Sequence, residues 1–299
     1  APLVERARAA AGVACASPGA PVRDPPPPCG WETRGGRCWG PPMARAGHGA
    51  SVEGDISVVS TVGQGSTFQY VNDVRFTLTT GRIVKRRHRA QDPSGWLHGL
   101  DARGVTSLWL DPRAADPGAL PARIAAAFAN SSRSSIVAVG RAGERWVAAW
   151  TVGRPLAPDN RIWDVDYVGS AHGGGLTGMP DMRTAYERLV SSIRKARDLA
   201  VEFGWSEWAR WFDDALDMGA SAAPKARFHD DVLPESSESQ RRQLFALASG
   251  SDVFGGMGSW NDMQPPASAE AAYRRVTAEL STAVVQGVAA AVNPRPSGG

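Results

Sequence analysis

The apolar residues of this 299-residue chain change their spacing once, near the glycine-rich stretch 169–180, and that change restricts the fold more than any other feature. Before it, apolar and polar residues alternate. Ile56, Val58 and Val59 are followed by Phe68, Tyr70, Val74, Phe76 and Leu78, and then by Ile83 and Val84. A period of two sends successive side chains to opposite faces of a strand. After it, Met182, Tyr186, Leu189, Val190, Ile193, Ala196, Ala200 and Phe203 recur three or four residues apart, which lays one apolar stripe along a helix. Strands first and helices afterwards predict an α+β architecture, with a sheet from the N-terminal half packed against a C-terminal group of helices.

Within the first half, Val105–Leu110, Ile136–Val139, Trp146–Val152 and Arg161–Val168 read as further strands. Thr79-Thr80-Gly81-Arg82 and Arg141-Ala142-Gly143-Glu144 read as hairpin turns, so the sheet is expected to be antiparallel. Leu120–Asn130 is predicted as a short amphipathic helix with Pro121 in its first turn, where the missing N–H costs nothing. In the second half, helices are predicted over Glu207–Met218, Glu238–Ala248 and Ala269–Val292. Three regions result: a Pro/Gly/Ala/Arg-rich leader over 1–54, read as disordered; a mainly β region over 55–169; and a helical region over 181–293 that forms one domain with the sheet or stands as a second.

Hydrophobic residues make up 42% of the chain, enough for a core, but no window approaches the run of about 18 apolar residues that a membrane span requires. Glu5, Arg6 and Arg8 stand where a signal peptide would place its apolar segment, so no secretion signal is expected. Cys15, Cys29 and Cys38 all precede residue 39; no disulfide can staple the body, which suits a cytoplasmic protein. The three thiols lack metal-site spacing, and neither a metal nor a cofactor is expected.

Four stretches carry candidate chemistry. His172-Gly173-Gly174-Gly175 has the small residues of an oxyanion-hole loop, but no Gly-x-Ser-x-Gly elbow accompanies it. Asp164 and Asp166 alternate along a predicted strand with His172 a short loop away, a set that could act as acid and base or sit on the solvent face of an ordinary strand. The basic run 82–89, with Lys85, Arg86, Arg87, His88 and Arg89, could track phosphates, but it has little aromatic company for stacking bases and serves equally to protect a strand edge. Trp205, Trp208, Trp211 and Phe212 share a helical face bordered by Asp213 and Asp214.

The most distinctive stretch is Phe254-Gly255-Gly256-Met257-Gly258-Ser259-Trp260-Asn261-Asp262, between two predicted helices. Gly255, Gly256 and Gly258 permit positive φ or close backbone approach, Trp260 can anchor the loop, and Asn261 and Asp262 can face a partner. This motif, with the flanking helices over 205–293, resembles an uncharacterised family of bacterial proteins; the resemblance implies no catalytic residue. The reading that follows is a cytosolic, non-enzymatic binding protein of the accessory or immunity type, contacting a protein partner through Gly255, Gly256, Gly258, Trp260, Asn261, Asp262 and Trp208, with no membrane partner. The alternatives are a hydrolase or transferase using Asp164, Asp166 and His172, and nucleic-acid binding through residues 82–89.

Overall fold

The computed structural model describes residues 69–80, 86–112, 134–141, 143–173, 181–254 and 259–293. The expected leader, the strand at Ile56–Val59, Ile83 and Val84, the helix at Leu120–Asn130, and Gly174, Gly175, Gly255, Gly256 and Gly258 lie outside the described residues.

Alternation builds six strands: β1 (Val71–Thr80), β2 (Arg86–Ala90), β3 (Val105–Asp111), β4 (Ser135–Gly140), β5 (Glu144–Val152) and β6 (Trp163–Ala171). They form one sheet in the order β2-β1-β6-β5-β4-β3. The β1–β2, β3–β4, β4–β5 and β5–β6 pairs are antiparallel, as the hairpin signals predict. The expectation of an antiparallel sheet is corrected at one pair, β1 and β6, which run parallel from Val71↔Trp163 to Leu78↔Gly169 and make the sheet mixed. The physical reason is topological: β3 to β6 run as a meander whose last strand returns to the free side of β1. The first expected turn also shifts, because Thr79 and Thr80 belong to β1 and pair with Arg87 and Arg86.

One face of the sheet carries Phe76 and Leu78 from β1, Val165 and Tyr167 from β6, Trp146 from β5, Ile136 and Ala138 from β4, and Leu108 and Leu110 from β3, all buried. Against it packs α1 (Pro93–Ala102), a helix that apolar periodicity alone does not announce. Its start is chemically explicit: Asp92 Oδ1 accepts from Gly95 N–H at 2.7 Å, and Pro93 occupies the first turn. Trp96 from α1 stacks on Phe76 at 4.7 Å, Phe76 stacks on Tyr167 at 4.9 Å, and Trp146 meets Trp96 edge-on at 5.6 Å. Burial holds the Tyr167 phenol well above its ordinary pKa. Gly169 lies under the Trp146 indole, where a Cβ would sit 2.9 Å from three ring carbons; the ring's position therefore requires glycine. The turn after α1 is tied to the sheet by Arg103, whose Nε and Nη2 donate to Glu144 at 2.5 and 3.2 Å, while Glu144 accepts from Trp146 Nε1 at 3.0 Å.

The period of 3.6 builds α2 (Met182–Glu202), α3 (Ser206–Ala220), α4 (Ser239–Gly250) and α5 (Glu270–Val292). α2 begins at Asp181, whose Oδ1 accepts from Thr184 N–H at 2.9 Å. Leu189, Ile193, Ala196 and Ala200 face inward from α2, and residues 244–250 of α4 are buried all round. The helical group meets the sheet where α5 reaches the edge strand β3. There Asn293, just past the end of α5, donates from Nδ2 to Leu110 C=O at 2.9 Å and accepts at Oδ1 from Leu110 N–H at 2.7 Å. Buried Arg241 of α4 fixes that turn, donating from Nη1 to the Ala291 and Asn293 carbonyls at 2.8 and 2.7 Å.

Candidate binding surface on the aromatic helix

The 205–212 stripe splits into rings that build the core and rings that reach the surface. Phe212 is fully buried, while Trp205, Trp208 and Trp211 are half-buried. Trp260 is the hub beneath them: fully buried, it lies 5.5 Å from Trp205, 5.7 Å from Trp208, 5.2 Å from Phe212 and 5.4 Å from Tyr273. Its Nε1 donates to Thr277 Oγ1 at 2.9 Å, its carbonyl accepts from the Tyr273 hydroxyl, and its N–H donates to Val253 C=O at 3.2 Å. An indole with every polar group engaged cannot shift without breaking several contacts, so the surface rings rest on an immobile base.

Trp211 is fixed by its own Nε1, which donates to Gly250 C=O at 2.7 Å, and its ring carries the Arg227 guanidinium 3.7 Å above the centroid. Desolvation at that position lowers the Arg227 pKa, an effect opposed by Asp214, whose carboxylate is 3.6 Å away. Next to Arg227, Phe228 is 45% exposed although its backbone is pinned at both ends by Ser249 Oγ, which accepts from Phe228 N–H and donates to Phe228 C=O, each at 2.8 Å. The rim is acidic. Residues 206–238 hold eight carboxylates against three basic side chains, in a chain whose formal charge is +3, and all eight of those acids are exposed.

Of the binding residues expected from the sequence, Trp208 and Trp260 do come together, but Trp260 offers no surface and acts as the anchor below Trp208. Asp262 is exposed, and its Oδ2 accepts from Ser259 N–H at 3.3 Å, closing the short 3-10 turn Trp260–Asp262. Asn261 lies in the same turn. Arg227 and Phe228 are additions that the sequence conceals, because they sit in a connection without periodicity; only the tertiary packing on Trp211 and Ser249 brings them in.

The alternative acid–base set is arranged differently. Asp164 and Asp166 share one face of β6, as alternation requires, and both meet cations or amides. Arg75 Nε lies 2.9 Å from Asp166 and Nη2 3.9 Å from Asp164, while Asn72 Nδ2 donates to Asp164 at 2.8 Å. His172 follows β6, its N–H donating to Gly143 C=O at 2.8 Å, and its buried Nε2 has no hydrogen-bond partner among the described residues. Six residues of extended chain separate it from Asp166, on the order of 20 Å at about 3.3 Å per residue. The carboxylates and the imidazole therefore do not form one set. Among the described residues no cluster of three or more His, Cys, Asp or Glu side chains could hold a metal ion. Against this geometry, comparison with family models, curated proteins and solved structures finds no match to the chain.

Proposed function

We propose that this chain is a cytosolic, non-enzymatic binding protein of the accessory or immunity type, and that α3 with the 221–238 connection is the surface it presents to a protein partner bearing a basic patch. The observation that carries the reading is that one stretch of chain, residues 206–238, holds half-buried Trp208 and Trp211, exposed Phe228 and eight exposed acids, one of which, Asp214, pairs with the Arg227 that covers Trp211. Rigid aromatic anchors surrounded by polar residues are the chemistry of binding hot spots. An excess of carboxylates steers a cationic partner towards them and repels an anionic one, which sets nucleic acid aside at this face. The absence of cysteine from 39–299 suits the cytosol, and among the described residues no helix is long and apolar enough to cross a membrane. Kinship with the bacterial family that the Phe254–Asp262 motif resembles is part of the same proposal; that motif supplies the anchor, Trp260, on which the surface rests.

The test uses a photo-crosslinking amino acid in place of exposed Glu207, with exposed Thr282 of α5 as the control position. Crosslinks from position 207 should converge on one protein through a lysine- or arginine-rich segment. Titration of that purified partner should then show Trp208→Ala weakening binding by about 2 kcal/mol, on the order of 30-fold, with the far-ultraviolet dichroism unchanged. Equal crosslinking from both positions, or an affinity indifferent to Trp208→Ala and Asp214→Lys, overturns the proposal.

A further inference from the structure

The proposed surface on α3 already carries a cation, and that cation belongs to the chain itself. Arg227 holds its guanidinium 3.7 Å above the Trp211 ring centroid, with Nη2 3.6 Å from the Asp214 carboxylate. Trp208 stands 6.0 Å from Trp211 with the two rings inclined at 55°, so the indoles and the acid form a corner with Arg227 over one wall. A planar cation on an indole beside a carboxylate is the chemistry by which proteins hold an arginine of another chain. Here the arginine is internal.

The geometry separates what is fixed from what can move. Trp211 is tied through Nε1 to Gly250 C=O at 2.7 Å. The main chain is tied on both sides of Arg227: Pro224 C=O accepts from Arg242 Nη2 at 3.3 Å, Ala226 N–H donates to Asp230 Oδ1 at 2.8 Å, and Phe228 bonds Ser249 Oγ through both its N–H and its C=O. The hold on the Arg227 side chain is weaker. Asp214 is 65% exposed, so water screens the ion pair, and burial opposes the guanidinium charge. Rotation of that one side chain uncovers Trp211 and Asp214 while the main chain stays in place. We propose that Arg227 stands in for an arginine of the partner protein, which docks on Trp211 and Asp214 by displacing it. The proposal rests on the reading of α3 as the binding surface, and adds the class of the anchoring side chain and a self-contact that holds affinity down. A site occupied by its own side chain binds in proportion to the fraction that is open.

The experiment uses the full chain with isotope-labelled arginine and a fluorescent peptide of alternating arginine and glycine. Comparison peptides carry lysine, or the uncharged isostere citrulline, in place of arginine. In the free chain the Trp211 ring current moves the Arg227 Cδ protons upfield, a signal identified by its loss in Arg227→Ala; saturating arginine peptide should return it to the ordinary position. Arg227→Ala should bind the arginine peptide about fivefold or more tightly, with the far-ultraviolet dichroism unchanged. Lys225→Ala removes an exposed charge two residues away and should tighten binding by less than about twofold. The lysine peptide should bind more weakly than the arginine peptide, and the citrulline peptide should not bind. Binding that leaves the Arg227 signal unmoved, or equal tightening by Lys225→Ala, overturns self-occupancy and leaves the α3 surface standing. Equal binding of the lysine peptide shows attraction by charge alone and overturns the arginine site. Arginine-peptide binding that is indifferent to Trp208→Ala and Asp214→Lys overturns the surface and the proposal together. Failure of the arginine peptide to bind Arg227→Ala overturns the proposal outright, and the crosslinks from position 207 then decide the surface on their own.

Discussion

Replacing Asn293 by alanine removes the one side chain that bonds both polar groups of Leu110 on the edge of the sheet. In the native chain those bonds are short, 2.7 Å to the N–H and 2.9 Å to the C=O, and both are buried. Asn293 itself is 5% exposed and Leu110 is 8% exposed, so water does not simply replace the lost amide. A buried donor or acceptor left without a partner costs about 1–3 kcal/mol. Some rehydration of an edge strand is expected, which places each group near the lower end, and the pair together near 2–4 kcal/mol. The loss should have a second signature, because Asn293 closes the contact through which α5 meets β3. Urea unfolding followed by dichroism, which weights the helices, and by hydrogen exchange at the amides of β4 to β6 should coincide in the native chain and separate in the variant.

Asn293→Asp sharpens the test. An aspartate keeps the acceptor for Leu110 N–H but turns a carboxylate oxygen towards Leu110 C=O. Burial and that carbonyl raise the folded pKa of the new group above its unfolded value of about 3.9. Its ionisation therefore destabilises the fold as pH rises above about 3.9, with the penalty complete above the raised folded pKa, and protonation restores a donor. The gap between Asn293→Asp and the native chain should be wide at pH 7 and should narrow as pH falls towards 4. A loss below about 0.5 kcal/mol in Asn293→Ala, with coincident unfolding curves, would refute the claim that this amide joins helices to sheet.

Two further outcomes follow from local geometry. A Cβ on Gly153 would stand 2.3 Å from the Asp164 carboxylate, the free end of a side chain that must turn away from Asn72 to make room, so Gly153→Ala should cost about 1 kcal/mol or less in urea unfolding, and Asp164→Ala in the same chain should recover that loss through a non-additive double-mutant cycle. Asp181 has its pKa lowered chiefly by the hydrogen bond from Thr184, so its contribution to stability is present above the unfolded value of about 3.9 and is lost as pH falls through the lower folded value; Asp181→Asn, which can cap without titrating, should lack that acid-dependent loss in its urea midpoints.

What the sequence discloses follows the range of the interaction. The four long helices are readable because their stripes are local, and α3 (Ser206–Ala220) falls within two residues of its expected ends at Glu207 and Met218. α1 escapes notice because Gly95 and Gly99 thin its short stripe of Trp96, Leu97 and Leu100; Asp92-Pro93 is the signal that marks its start. The β1–β6 pairing leaves no local trace, since Val71 and Trp163 are 92 residues apart and alternation specifies faces but not neighbours. The same division applies to the proposed binding surface. Trp208, Trp211 and Trp260 are visible as a stripe and a motif, whereas Arg227 and Phe228 join them only because Ser249 and Trp211 hold a connection that has no period of its own.

The placement of Trp260 links these observations to function. A motif as distinctive as Phe254–Asp262 invites the view that its side chains touch the ligand, yet its tryptophan is fully buried and faces four aromatic rings. Its identity matters to the surface through support: the ring fixes Trp205 and Trp208 from below, the indole N–H reaches Thr277 of α5, and the backbone N–H returns to Val253 after α4. The motif thereby joins α3, α4 and α5 at one point. A change at Trp260 should therefore alter stability as well as binding, while a change at Trp208, half-buried on that anchor, should cost less stability than a change at Trp260 and fall more heavily on binding. That contrast separates an anchor from a contact, and it is the outcome that the proposed surface on α3, with the motif beneath it, requires.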